Sequence, residues 1–253
     1  MIGYWMVKMD DELKSKLKYL NFGRLAENWD NYLSTAQKSN FSHVRLLKHI
    51  IDEEYKNKKE RACQSRLKKA QIPEPLVIET FPFDKQPKLN KKNILHLYDS
   101  FEYMEKKRNM IFIGTTGIGK TGLATSFLIQ AINQGYKCRF IMFHELIELL
   151  YKSIADHSEE KIIKKFVGYD CLLIDELGYI EVEPAQVGLF FTLMNKRHRK
   201  KTTIITTNMG FTDWKSFLKN PQLTAALIDR LTENGFVINM KNCASLRPSF
   251  NQL

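Results

Sequence analysis

Gly114-Thr115-Thr116-Gly117-Ile118-Gly119-Lys120-Thr121 follows the apolar run Met110-Ile111-Phe112-Ile113 and opens a helix-compatible segment over residues 122–133. Strand, glycine-rich turn and helix in that order make a phosphate-binding loop. The glycines let successive backbone N–H groups curl towards the β-phosphate, the lysine reaches the β/γ oxygens, and the threonine hydroxyl suits Mg²⁺. Gly114, Thr115, Thr116, Gly117, Ile118, Gly119, Lys120, Thr121 and Gly122 are the expected binding segment, and the expected ligand is a nucleoside triphosphate.

Downstream of this loop, short β-rich runs at 110–113, 138–143, 170–175, 202–207 and 235–239 alternate with helical segments. That alternation predicts an α/β fold, a parallel sheet with helices on both faces, whose chemistry sits at the carboxyl ends of the strands. Cys171-Leu172-Leu173-Ile174-Asp175-Glu176 ends in two adjacent carboxylates, a Walker B arrangement. Asp175 is expected beside Mg²⁺, directly or through water. Glu176 is expected to orient, or take a proton from, the water that attacks the γ-phosphate.

Asp175-Glu176-Leu177-Gly178 also fits the D-x-x-G of GTPases, but guanine recognition needs N-K-x-D, and the nearest string is Asn195-Lys196-Arg197-His198. Histidine lacks the carboxylate that accepts the two guanine N–H donors, so adenine is the expected base. Thr202-Thr203-Ile204-Ile205-Thr206-Thr207-Asn208 is a β-branched strand ending in an amide. Asn208 is expected between the two Walker elements, bonding the γ-phosphate or the water; the alternative is a cap for the next helix. Arg230, in Ile228-Asp229-Arg230-Leu231, has no phosphate of its own subunit within sequence reach. It is expected to act in a neighbour's site as an arginine finger, against the plainer reading of an ion pair with Asp229. Arg247, in Ala244-Ser245-Leu246-Arg247, is the sole late arginine that could serve the nucleotide site, and it is read instead as part of a charged tail.

The front of the chain reads differently. Leu13, Leu17, Leu20, Leu25, Trp29, Leu33, Leu46, Leu47, Ile50 and Ile51 recur at helical spacing and predict a small all-α domain over residues 1–70. Gln71-Ile72-Pro73-Glu74-Pro75 breaks the last helix, residues 71–108 are expected as linker and leading helix (the helix over 92–107), and residues 109–253 as the ATPase core.

The net charge is +11, and residues 1–108 carry 22 Lys/Arg against 15 Asp/Glu. So much positive charge favours an anionic partner larger than a nucleotide, and nucleic acid leads. Candidate phosphate contacts fall in three groups: Lys56, Lys58, Lys59 and Arg61, continuing to Arg66, Lys68 and Lys69; Lys161, Lys164 and Lys165; and Lys196, Arg197, Arg199, Lys200 and Lys201. The competing reading of each is a solvated helix face. No apolar run reaches the ~20 residues of a membrane span, and residues 1–10 lack a secretory apolar core, so a cytoplasmic location and no membrane partner are expected. Cys63, Cys138, Cys171 and Cys243 are too scattered for a zinc site or disulfide framework; Cys138 and Cys171 read as small apolar strand residues.

Ala70-Gln71-Ile72-Pro73 before Phe81-Pro82-Phe83-Asp84, the loop at 114–123, Leu173-Ile174-Asp175-Glu176-Leu177-Gly178-Tyr179, Thr203-Ile204-Ile205-Thr206-Thr207-Asn208 with Phe211 and Trp214, and Asp229-Arg230-Leu231 together span nearly the whole chain. This set resembles the AAA+ ATPases of the IstB/DnaC group. Glu176-Leu177-Gly178-Tyr179 and the helical front lean towards the IstB-like helper ATPases of insertion-sequence transposition. The family loop is usually Gly-Pro-Pro-Gly-Thr-Gly-Lys-Thr; Thr115, Thr116 and Ile118 depart from it while keeping each glycine, and Gly122 stands where His is common.

The resemblance implies a P-loop AAA+ sheet; with only 23 residues after Arg230, no full C-terminal lid domain is expected. It implies ATP and Mg²⁺ as ligands. Lys120 and Thr121 would serve Walker A, Asp175 and Glu176 Walker B, Asn208 sensor 1 and Arg230 the finger. It also implies an ATP-dependent homo-oligomer, ring or spiral, on duplex DNA that recruits a DDE-type transposase. A DnaC-type helicase loader is the alternative. A metabolic P-loop kinase ranks third, because it leaves Asn208 and Arg230 unexplained.

Overall fold

The computed structural model describes residues 8–179 and 181–247, and the chain divides into two compact units, Met1–Ser65 and Arg66–Leu253. In the first, α1 (Asp11–Tyr19), α2 (Gly23–Glu27) and α3 (Trp29–Lys38) precede α4 (His43–Ala70), which runs through the unit boundary. Asp10 caps α1 by accepting the Leu13 N–H at 2.7 Å, and Asp11 and Glu12 favour the positive end of the helix dipole. Leu17, Leu25 and Tyr32 form the buried cluster of this unit. Glu54 is buried too, and its carboxylate accepts the Leu25 N–H, satisfying a donor at the start of α2.

The second unit is a five-stranded parallel sheet of β1 (Met110–Ile113), β2 (Cys138–Met142), β3 (Cys171–Leu177), β4 (Thr202–Thr207) and β5 (Phe236–Asn239), in the order β2-β3-β4-β1-β5. Its helices are α5 (Lys91–Ser100), α6 (Glu102–Glu105), α7 (Lys120–Asn133), α8 (Phe143–Ala155), α9 (Glu159–Val167), α10 (Pro184–Arg197), α11 (Phe211–Phe217) and α12 (Pro221–Thr232). The expected parallel α/β architecture is observed, and Cys138 and Cys171 are buried register partners on β2 and β3. β1 and β4 are buried along their whole lengths, as strands covered on both faces must be. Asn109 ties the centre together: its side-chain oxygen accepts the Thr203 N–H, its amide donates to the Leu231 carbonyl, and its own carbonyl accepts the Phe236 N–H.

Two expectations need correction. The helix over 92–107 is broken at Phe101, whose φ of +53° caps α5 before α6 starts. A left-handed phenylalanine is unfavourable locally; the packing of its ring against Tyr103 and Tyr136 offsets that cost. Residues 71–108 do not form a free linker either. They lie within the larger unit, where Ile78, Phe81, Phe83, Leu89, Ile94 and Leu97 are buried and single 3₁₀ turns form at Ile78–Thr80 and Phe83–Lys85.

Candidate nucleotide site

Because all five strands run parallel, β1, β3 and β4 deliver their carboxyl ends to one edge of the sheet. The loop after β1 is anchored by the Gly114 N–H donating to the Thr207 carbonyl at 3.1 Å. Gly117 and Gly119 then take φ of +82° and +91°, a region costly for other residues, and turn the chain into the N-terminus of the 14-residue α7. Lys120 is only 8% exposed, and its ammonium donates to the Thr115 carbonyl at 2.7 Å. Burial lowers its pKa, while Asp175 and Glu176 act in the opposite direction.

The Thr121 hydroxyl lies 3.0 Å from both Asp175 carboxylate oxygens. Asp175 is 3% exposed; burial pushes its carboxyl above the usual range, against the hydrogen bonds that Thr206 and Thr121 donate to it. The β3–β4 register shifts between Ile174 and Leu177, and Glu176 sits in that bulge at φ +59°. Its N–H donates to Thr206 Oγ1 at 3.0 Å. One threonine on β4 thus fixes both acidic residues, and the bulge re-aims the Glu176 side chain. Glu176, Thr206, Lys120 and Thr121 line a cleft of about 310 Å³ together with Thr116, Gly117 and Gly119.

A hydroxyl and a carboxylate converging in this way form a hard-oxygen donor set that fits Mg²⁺, an ion that takes few protein ligands and completes its shell with water and phosphate oxygens.

Sequence reasoning missed Glu74 and Tyr179 as site residues and set Arg247 aside as a tail, yet all three also line the cleft. Tyr179 shares a 2.8 Å hydrogen bond with the Thr116 hydroxyl. Arg247 is no detached tail. β5 lies beside β1, the Met240 N–H donates to the Ile113 carbonyl at 2.7 Å, and the following residues therefore leave the sheet at the phosphate-loop edge. The pairing of β5 with β1, two segments more than a hundred residues apart, carries that information, and no local pattern does.

The remaining candidates do not line the cleft. Asn208 is exposed at the end of β4, which stands between β1 and β3 in the sheet. Arg230 is half-buried on α12 and bonds Asn195 Oδ1 at 2.9 Å and the Ala226 carbonyl at 2.9 Å, with its guanidinium 5.0 Å from the Phe191 ring centre. Its side chain is thus held by α10 and its own helix. Lys56, Lys58, Lys59, Arg61, Lys161, Lys164, Lys165 and Lys196 are exposed. Arg197 must be removed from the phosphate-contact candidates: it is 1% exposed, and its guanidinium donates to the Phe166 and Tyr169 carbonyls at 2.8 Å, to the Thr202 carbonyl and to Thr203 Oγ1. Burial lowers its pKa to about 10. Its neighbours in sequence are solvated, but helical spacing turns this one cation inward.

A family model described as IstB-like ATP binding protein matches residues 15–249. An IS232 insertion-sequence protein of Bacillus thuringiensis subsp. berliner, described as ATP-binding, is 30% identical over 229 residues, covering 90% of this chain and 91% of its own. The corresponding IS5376 protein of Geobacillus stearothermophilus is 30% identical over 233 residues, 92% of each chain. Among solved structures, the DnaC helicase loader superposes with a TM-score of 0.51 at 24% identity, over 59% of this chain and 87% of its own. DnaI gives 0.52 at 17% identity, over 59% and 82%. At these identities the two structures speak for the fold alone. The family match takes in the helical front as well as the nucleotide cleft, and on that breadth the chain belongs to the IstB-like ATP-binding protein family.

Proposed function

We propose that this protein is an ATP-hydrolysing helper of insertion-sequence transposition, which assembles on duplex DNA and recruits or activates a DDE-type transposase. The observation that carries the reading is the joint placement of Lys120, Thr121 and Glu176 around one cleft, with Asp175 bonded to Thr121 and Thr206 bonded to both acidic residues. Lys120 and the backbone N–H groups at 114–122 bind the phosphates, Thr121 and Asp175 hold Mg²⁺, and Glu176 orients the attacking water or takes its proton. Bound Mg²⁺ supplies charge neutralisation at the phosphate oxygens. Asn208 reaches the γ-phosphate or the water from the end of β4. Arg230 serves the site of an adjoining subunit, so hydrolysis depends on assembly into a ring or spiral.

The insertion-sequence relatives cover about nine-tenths of both chains and favour this reading over a DnaC-type helicase loader, for which only the fold speaks. Exposed cations on α4, on α9 and at Lys196 meet DNA phosphates without base readout. A cytoplasmic location completes the reading; among the described residues no helix is long and apolar enough to cross a membrane.

Glu176→Gln should keep ATP binding and lose turnover by about 10²- to 10⁴-fold, whereas Lys120→Ala should weaken binding itself by about 10- to 100-fold. Wild-type turnover by Glu176→Gln would sink the catalytic assignment. Arg230→Ala mixed with Lys120→Ala should regain activity that neither has alone, since composite sites then pair an intact loop with an intact finger. Replacing Lys56, Lys58, Lys59 and Arg61 with Ala should flatten the salt dependence of duplex binding, reducing the slope of log K against log[salt] by up to about 0.9 per lost contact.

A further inference from the structure

Gln86 is 1% exposed, and every polar atom of its side chain is engaged by backbone far away in sequence. Its Oε1 accepts the Ala244 N–H at 3.0 Å, and its Nε2 donates to the Ala244 carbonyl at 2.7 Å, so the carboxamide pairs with residue 244 on both sides as a neighbouring strand would. The same Nε2 donates to the Ile118 carbonyl in the phosphate loop at 3.1 Å. Three residues on from Ala244, the Arg247 side chain lies against Gly117 and lines the nucleotide cleft. Between them the Leu246 N–H donates to the Gly117 carbonyl at 2.8 Å, and the Leu246 side chain packs over Gly119 beside Phe81. Residues 244–247 therefore form a strap laid across the loop.

We propose that Gln86 is a positioning residue of the nucleotide site: it holds this strap in register with the phosphate loop and so sets Arg247 against the bound triphosphate. The inference rests on the ATP reading of the same cleft. Without the Gln86 carboxamide, the only described backbone bond between strap and loop is that from Leu246 to Gly117, and a single bond on an exposed segment does not fix the direction of Arg247.

The test is a double-variant cycle on the full chain, with ATP affinity as one readout and hydrogen exchange of the Leu246 N–H in nucleotide-free protein as the other. Gln86→Met keeps the length and removes all three bonds; Gln86→Glu keeps the acceptor and removes both donors. Each should speed Leu246 exchange at least tenfold, with amides of β1 and β4 unchanged, and should weaken ATP binding about tenfold. Arg247→Ala should cost a similar factor, and the double variant about tenfold rather than a hundredfold, because the two residues act through one contact. Additive losses, or unchanged Leu246 exchange in a folded Gln86→Glu protein, would overturn the proposal. If wild type binds no ATP, the nucleotide reading fails by itself, and the exchange arm still decides whether Gln86 holds the strap.

Discussion

Aliphatic side chains of similar chemistry meet opposite fates in the two units: Leu172 and Leu173 on β3 are fully buried, whereas Leu47 and Ile51 on α4 are 60% and 61% exposed. In the larger unit a sheet covered by helices encloses a continuous cluster that includes Ile111, Phe143, Leu172, Phe190 and Ile205. In the smaller, helices of 9, 5 and 10 residues leave an apolar groove lined by Leu17, Leu20, Leu25, Trp29, Leu47 and Ile51. Short helices have too little surface to close over their own apolar stripe, while helices on both faces of a sheet bury its central strands β1 and β4 and leave only an edge position such as Val237 on β5 exposed. The lesson is that an apolar stripe marks a face, and the architecture around it decides whether that face becomes core.

The comparison is broken most directly in the sheet unit. Phe190→Ala removes a fully buried ring stacked edge-on to Phe143 and should lower the stability of that unit by about 3–5 kcal/mol in urea unfolding. Arg197→Met should cost about 3 kcal/mol by leaving the Phe166, Tyr169 and Thr202 carbonyls without their donor. The folded fraction of that variant should bind duplex DNA with wild-type affinity, and a reduced salt slope would restore Arg197 as a phosphate contact. Leu47→Ser, on the open groove, should stay within about 0.5 kcal/mol of wild type; a loss of several kcal/mol would mean the groove is core after all.

The smallest effect concerns pH. Burial pushes the Asp170 carboxyl up, but the Lys201 ammonium and the Lys137 N–H outweigh it and hold it below its usual range. A carboxyl depressed in the folded state contributes stability above its unfolded pKa of about 3.9, and that stability is lost as pH falls through the folded value. The deficit of Asp170→Asn relative to wild type should therefore be present at pH 7 and shrink below about pH 4. A deficit that grows on acidification would contradict the assignment.

The loop at 114–121 and the pair Asp175-Glu176 were legible because each element carries its chemistry locally: glycine where φ is positive, a hydroxyl at the helix start, carboxylates at the end of an apolar strand. The strand positions followed from apolar runs with β-branched residues, and β4 ends at Thr207 as that pattern implies. Phe101 was illegible, because its left-handed turn is imposed by aromatic partners that sequence does not juxtapose. Arg197 was illegible for a related reason. In a run of five cations within six residues only the helix phase and the carbonyls of Phe166 and Tyr169 single one out.

By itself, then, the sequence determined a parallel α/β nucleotide fold, its phosphate loop and the two acidic residues across from it, all of which depend on residues near one another in the chain. Only the tertiary structure decided that Thr206 bridges Asp175 and Glu176, that Gln86 clasps Ala244, and that Arg247 returns to the cleft. Those contacts join residues 30 to 158 positions apart, and they arise because parallel strands deliver distant segments to the same edge of the sheet.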